Sequence, residues 1–453
     1  MAVRAQLEDL VVVVPGITGS VLERDGHEFW NHSLSALAHA TPARKLVRNL
    51  RLAPEPGAPD GVRATGLVRG AHLLPGLWGI DGYGPLLSYL RRTFDFSGGN
   101  LVEFPYDWRL SNAVNAAALG KVVEGALTRW REASRNPDAR VTFVCHSMGG
   151  LLARHYLDVL GGSEVTRRLV TIGTPFQGAA KAADVLCRGL APEARARLGR
   201  FGRVLEELTD VVGEFPSLYE LLPTYRSVTG ADGELRRLGE SAAPGVDSAR
   251  LKGAEDFHRG IGGAPAGYEI VPFGGHLQPT VQSLRVDARG VSPLRSLGGE
   301  DVGGDGTVPR FSAAPAGTTS EADIRSSAAR HAALASPRSF HLALHGVLTA
   351  GDPRRFMAPG EELALDCGGL AAVGAPHPVA VEAREERLVL TVRAEHLESR
   401  EALPPVPLRN AGEGRYEGAL VPDRPGGWRI TVEARAGLPV VAVSELVLVV
   451  DGS

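Results

Sequence analysis

The residues best placed to do chemistry lie in "VTFVCHSMGG", Val141 to Gly150, followed by "LLARHYLDVL". Four mostly apolar residues lead to Cys145-His146-Ser147-Met148-Gly149-Gly150, and a helix-like run follows. This is the pattern of a strand that turns at once into a helix, with serine on the corner. A serine hydroxyl is a poor nucleophile at neutral pH. It needs a histidine base, a carboxylate to orient that base, and backbone donors for the oxyanion. A helix that starts directly behind the serine aims its free N–H groups at charge developing there. An ordinary strand-to-helix turn that contains a serine is the plainer alternative.

The remaining members of such a centre have candidates downstream. "GEDVGGDGTVPRFSA" places Asp305 between glycines, with Asp301 as its nearby competitor. A carboxylate on a Gly-rich loop suits the acid, and an exposed Asp-Gly turn is the plainer reading. His331 opens "HAALASPRSFHLALHGVL", and His341 and His345 follow four residues apart inside that segment. The last two read as a packed helix pair or as a metal pair, and no third ligand stands near them. His331 is preferred as base, because a loop residue can reach across the tops of the strands. Early in the chain, "VVVVPGITGS" turns sharply after its apolar run, and its glycines let the backbone approach a ligand. The backbone N–H groups of Ile17 and Met148 are the nominated oxyanion donors.

A serine on such a corner usually lies in G-x-S-x-G, in an α/β-hydrolase fold with chain order Ser, acid, His. Here Cys145 takes the first position. That position needs a small side chain because helix and strand pass close by, and cysteine is small and readily buried.

The elements that must hold these residues alternate over roughly the first 350 positions. "LVVVVPG", "NLVEFPYDW", "VTFVCHS" and "RRLVTIGTP" read as strands. "GPLLSYLRRTF" and "AAALGKVVEGALTRWREA" read as helices, the second with Leu119, Val122, Val123, Leu127 and Trp130 on one face. The alternation predicts a parallel sheet covered on both faces. Two insertions, about 20–82 and 177–266, interrupt it as caps. In the second, Leu198, Phe201, Val204, Leu205, Leu208, Val211 and Val212 recur at helix period, so that stripe either packs on the core or forms a lid facing substrate. After about residue 358 the period becomes two. The expected organisation is therefore α/β, a catalytic part over 1–352, followed by an all-β immunoglobulin-like sandwich over 359–453.

Bulk properties narrow the function. At 453 residues the chain suits one large domain plus a smaller one, and 43% apolar with 22% charged residues is ordinary for a globular protein. The net charge of −3 gives no electrostatic reason to bind nucleic acid. Cys145, Cys187 and Cys367 are too far apart for a disulfide framework or a metal cluster. No window reaches the roughly 20 apolar residues of a membrane span, and the first residues read as a strand and not a secretion signal. The expectation is a cytoplasmic protein that needs no cofactor or metal.

Several stretches coincide in order: "VVVVPGITGSVLE", "FPYDWRLS", the serine corner, "TIGTPFQGAAKA", "FPSLYELLP" and "GDGTVP". Together, over about residues 8–350, they resemble the lecithin:cholesterol acyltransferase family. The resemblance implies acyl-ester chemistry on lipids through an acyl-enzyme on Ser147, with Asp305 and His331 completing the triad and Ile17 and Met148 supplying oxyanion donors. It also implies that the segment around Trp30 to Trp78 is a membrane-touching or lid part of the cap. No cysteine precedes Cys145, whereas secreted relatives staple that segment with a disulfide. The sandwich is not part of the family pattern, and its role stays open between binding a protein partner, a glycan or a membrane surface and stabilising the catalytic part. A small-ester or thioester hydrolase is the alternative enzyme, favoured if short acyl esters turn over fastest. A catalytically inactive hydrolase-fold interaction protein is the alternative outside enzymes.

Overall fold

The computed structural model describes residues 4–31, 40–53, 60–74, 78–317, 324–349, 363–383, 388–434 and 441–451. At its centre, β1 (Leu10–Val14), β2 (Leu101–Glu103), β3 (Val141–His146), β4 (Thr166–Ile172), β5 (Glu269–Gly275) and β6 (Arg325–Ser327) form one sheet in the order β6-β5-β4-β3-β1-β2. Every pair in it is parallel. Continuous apolar runs dictate this. Each residue of β1 and β3 is buried, as strands covered on both faces require. The fold is α/β-hydrolase in kind.

Helices α1 (Gly84–Thr93), α2 (Asn112–Ser134), α3 (Met148–Val159), α4 (Gly199–Val212), α5 (Ser248–Ile261) and α6 (Arg338–Thr349) pack around or above that sheet. Helix α2 starts where the Ser111 side chain accepts the Ala113 N–H at 3.2 Å and ends where Arg135 turns left-handed. Its buried stripe runs through Leu119, Val123, Leu127 and Trp130. Val122, expected on that face, is 40% exposed, because it lies at the edge of the stripe and beyond the reach of α3.

The expected strand over "NLVEFPYDW" stops at Glu103. At Pro105 the chain leaves the sheet to cross the turn after β1, where the Tyr106 N–H donates to Ser20 Oγ at 3.0 Å.

The segment over 20–82 folds into a small antiparallel sheet of Ser20–Arg24, His27–Trp30 and Val62–Leu67, a helix Ala40–Leu50 and a short hairpin. The second insertion is largely helical. The apolar stripe of α4 is buried throughout its length, partly against the Ala40–Leu50 helix, so it packs within the cap and does not face open space. A further excursion, not anticipated, carries the antiparallel pair Ser283–Asp287 and Gly290–Leu294 between β5 and the Asp305 loop.

The C-terminal region forms two facing sheets. One orders Leu363–Asp366 (β7), His377–Ala383, Arg415–Leu420 and Arg409–Gly412. The other orders Leu370–Ala372, Val441–Val450 (β8), Gly426–Ala434, Leu390–His396 and Val406–Pro407. Alternating inward residues such as Val379, Val381, Val392, Ile430 and Val432 fill the space between them. Leu448 and Val450 of β8 belong instead to the main core. The boundary expected at 352–359 lies outside the described residues.

Candidate active site

Ser147 sits between β3 and α3 with φ 52° and ψ −125°, a conformation rare for a residue with a side chain. The corner is fixed by two hydrogen bonds. The Ser147 N–H donates to the Ile172 carbonyl at 2.8 Å, and Thr174 Oγ1 donates to the Ser147 carbonyl at 2.9 Å. The two glycines behind it are steric requirements. A Cβ at Gly149 would lie 2.3 Å from the Pro15 carbonyl oxygen, and one at Gly150 would lie 2.1 Å from Thr174 Oγ1. Cys145 is accommodated in β3 opposite Val14 and Thr171, fully buried, where burial pushes its thiol well above the usual range and keeps it protonated.

A histidine and a carboxylate converge on this serine. His331 Nε2 lies 2.9 Å from Ser147 Oγ, and His331 Nδ1 lies 2.7 Å from Asp305 Oδ2. The second oxygen, Asp305 Oδ1, accepts the N–H groups of Thr307 at 2.9 Å and Val308 at 2.7 Å, which is what the "GDGTVP" turn provides. The His331 N–H returns to the Asp305 carbonyl at 2.8 Å, so the acid and base loops are joined through backbone as well as side chain. Burial by itself would raise the Asp305 pKa. The adjacent His331, with the two backbone donors, outweighs it and holds the carboxyl below its ordinary value. With Nδ1–H given to the carboxylate, Nε2 is left bare to accept the serine proton. Gly173, at φ 61°, lets the chain pass against His331, since a Cβ there would be 2.9 Å from Nδ1.

Beneath the serine runs a second buried chain of polar groups. The Gly16 N–H donates to the Tyr83 hydroxyl at 2.7 Å, and that hydroxyl donates to His146 Nδ1 at 3.0 Å. His146 Nε2–H then donates to the His331 carbonyl at 3.1 Å. Burial, with His331 nearby, lowers the His146 pKa to about 3, so it stays neutral and in this tautomer. The chain therefore ties the turn after β1 to the loop that carries His331.

The "YDWR" residues brace the same turn from above. Tyr106 Oη donates to the Pro15 carbonyl at 2.9 Å, and Trp108 Nε1 donates to the Ser20 carbonyl at 3.2 Å. Arg109 is fully buried on Asp107 at 2.7 Å and Asp60 at 2.8 Å, which closes the motif.

Of the residues singled out from the sequence, Ser147, Asp305 and His331 meet. Met148 is the first residue of α3, where its N–H has no intrahelical acceptor. Ile17 lies in the turn closed by the Gly19 N–H on the Gly16 carbonyl at 3.0 Å. That turn abuts the serine, because a Cβ on Gly16 would be 2.9 Å from Ser147 Cβ. Asp301 is elsewhere, accepting from the Gly303 N–H at 2.8 Å. His341 stacks on Tyr89 and His345 on Phe94, on the α6 side of the molecule. Trp30, at the start of the segment read as a membrane-touching or lid part of the cap, turns its side chain inward. It is buried, donates Nε1 to the Thr18 carbonyl at 2.8 Å and packs edge-on to Trp108. The side chain of Trp78 lies outside the described residues.

Sequence reasoning missed Tyr83 and His146. His146 stood beside the serine and could have been noticed as a polar residue in a buried strand; Tyr83, in "DGYGP", carried no signal. A cavity of about 600 Å³ lies under the second cap, lined by Arg154, Phe176, Tyr219, Tyr225 and His258 among others, and by none of Ser147, Asp305 and His331.

With this geometry in view, comparisons with known proteins become informative. The family model described as lecithin:cholesterol acyltransferase matches residues 94–232, which span the α2 region, the serine corner and much of the second cap. The match is thus to about a third of the chain, centred on the serine corner. A phospholipase A(1) of Arabidopsis thaliana is 37% identical over 86 residues, a stretch that covers 18% of this chain and 18% of that protein. The chain thus spans under a fifth of the length of the curated relative it matches. A Bacillus licheniformis lipase in its mature form superposes with a TM-score of 0.35 at 12% identity, over 77% of this chain and 95% of that one. The propeptide form of that lipase gives 0.31 at 10% identity, over 97% and 93%. Those two likenesses are too loose to carry weight.

Proposed function

We propose that the chain is a serine-dependent lipid acyl-ester hydrolase or O-acyltransferase that works through an acyl-enzyme on Ser147. The observation that carries this reading is the unbroken buried line from Ser147 Oγ to His331 to Asp305, at 2.9 and 2.7 Å. In the first half-reaction His331 Nε2 takes the hydroxyl proton as Oγ attacks the acyl carbonyl. The Met148 and Ile17 N–H groups receive the oxyanion. Collapse of the tetrahedral adduct breaks the ester C–O bond, His331 returns the proton to the leaving alkoxide, and the acyl group remains on Ser147. In the second, His331 deprotonates water or an acceptor alcohol as it attacks the acyl carbonyl, the bond to Ser147 Oγ breaks to release acid or new ester, and His331 returns the proton to Oγ. Asp305 stays ionised and stabilises the imidazolium formed in each step.

The test is covalent labelling. Wild type is expected to react with a fluorophosphonate probe and to hydrolyse nitrophenyl esters, fastest with long acyl chains. Ser147→Ala is expected to lose both, and labelling that persists in that variant removes the assignment.

A further inference from the structure

The sandwich has no place in the acyl-transfer steps above, yet several of its polar contacts reach the few residues around His331. Arg330, immediately before the base, gives Nη1 to the Leu365 carbonyl of β7 and pairs through Nε with Glu445 Oε2 of β8. Both side chains are largely buried, at 16% and 14% exposure. Glu445 is itself oriented, since its other oxygen accepts the Leu446 N–H at 3.1 Å. The Arg330 guanidinium also lies over Gly306, the residue after Asp305, where a Cβ would be 3.3 Å from Nη2.

Immediately after the base, the Ala332 carbonyl accepts the Asp81 N–H at 3.1 Å. The Asp81 carboxylate in turn accepts Nη1 of Arg429, a sandwich residue, at 2.9 Å. A third tie runs through Gln278, which is buried. Its Nε2 donates to the Ala328 carbonyl at 2.6 Å and to the Leu363 carbonyl at 2.8 Å, and its Oε1 accepts the Leu365 N–H at 3.1 Å. The Gln278 N–H donates to the Gly304 carbonyl at 3.0 Å, beside Asp305. Residues 328, 330 and 332 are thus each linked to the sandwich, directly or through one intermediary. His331 is bracketed between them.

We infer that the C-terminal sandwich is a positioning part of the catalytic centre, with Glu445 and the β7 backbone holding Arg330, and through it the His331 loop, in register with Ser147. This rests on the reading of Ser147 as nucleophile. Misplacing a reacting group by about 1 Å can cost about 100-fold in rate, so three ties on one short loop have a chemical consequence beyond folding. Arg330 and Glu445 touch no reacting atom and act through His331.

The experiment compares full-length wild type, Glu445→Ala, Glu445→Gln and Arg330→Ala. It measures the second-order rate of fluorophosphonate labelling, kcat and KM on a nitrophenyl ester, and the melting temperature. Glu445→Ala is expected to lower labelling and kcat about tenfold, less than a full displacement of the base would cost, because the other two ties remain. KM is expected to stay within about twofold, since no substrate contact is removed. Glu445→Gln, which keeps a hydrogen-bond acceptor for Arg330, is expected to recover part of the loss. Combining Glu445→Ala with Arg330→Ala is expected to cost little more than either alone, as for two ends of one interaction. If the alanine variant does not fold, the glutamine variant carries the comparison by its own labelling rate. A labelled wild type with unchanged labelling and kcat in the folded variants overturns this inference alone. A wild type that is not labelled at all overturns the nucleophile assignment and this inference with it.

Discussion

Replacing Tyr83 by Phe removes one oxygen from the centre of the molecule and should disturb both stability and catalysis. That oxygen accepts the Gly16 N–H at 2.7 Å and donates to His146 Nδ1 at 3.0 Å, in a site with almost no exposure. Phenylalanine fills the same space but leaves a backbone donor and a ring nitrogen without partners. A buried polar group left unsatisfied costs about 1–3 kcal/mol. Removing the phenol's own burial cost offsets part of this, so the net loss should be about 2–4 kcal/mol for the two groups together. The catalytic effect follows from what the chain connects. Gly16 begins the turn whose Ile17 N–H is the proposed oxyanion donor, and His146 holds the His331 carbonyl. Loss of an oxyanion donor outright costs about 100- to 1,000-fold in kcat. Loosening both attachments without removing either donor should cost on the order of tenfold. Urea denaturation and fluorophosphonate labelling of wild type and Tyr83→Phe measure the two effects. A variant with wild-type urea midpoint and labelling rate would refute the claim that this buried chain couples the turn to the base loop.

The serine corner predicts that Gly149→Ala destabilises by about 1–3 kcal/mol and lowers labelling, because the new Cβ meets the Pro15 carbonyl oxygen at 2.3 Å. Gly253→Ala, in α5 with nothing within 4 Å of the added carbon, should instead stabilise by about 0.5–1 kcal/mol in the same thermal melts. Burial, against hydrogen bonds from Ser111 and Asn112, raises the Glu220 carboxyl from 4.5 to about 7. A raised folded-state value means the native state holds the proton more tightly, so this contribution is complete below pH 4.5 and fades as pH rises through about 7. At about 1.4 kcal/mol per pH unit, the loss is on the order of 3 kcal/mol. Melting curves between pH 4 and 8 should show the decline in wild type and a flatter profile in Glu220→Gln.

How far the sequence could be read depended on how local each signal was. Four of the six strands of the central sheet were legible, because a continuous apolar run such as Leu10–Val14 has few other fates, whereas Glu269–Gly275 and Arg325–Ser327, which carry glycines or polar residues, were not read as strands. The serine corner was legible because strand, serine, two glycines and helix are contiguous. Asp305 stood out by its flanking glycines, and the choice of His331 over His341 and His345 followed from a loop residue having more reach than one inside a helix. What stayed hidden lay in contacts between distant segments. Tyr83 meets His146 across 63 positions, and Arg429 meets Asp81 across 348. Neither pair leaves a periodicity or a spacing to notice. The edge-on packing of Trp30 against Trp108 was hidden for the same reason, since the two lie in separate segments of the chain.

The placement of β8 has a consequence for synthesis. Its Leu448 and Val450 complete the main core, and its Glu445 reaches back to Arg330. A ribosome must therefore pass residue 450 before the last of the ties to the His331 loop can form. Until then the loop that carries His331 is held by fewer contacts than in the finished molecule.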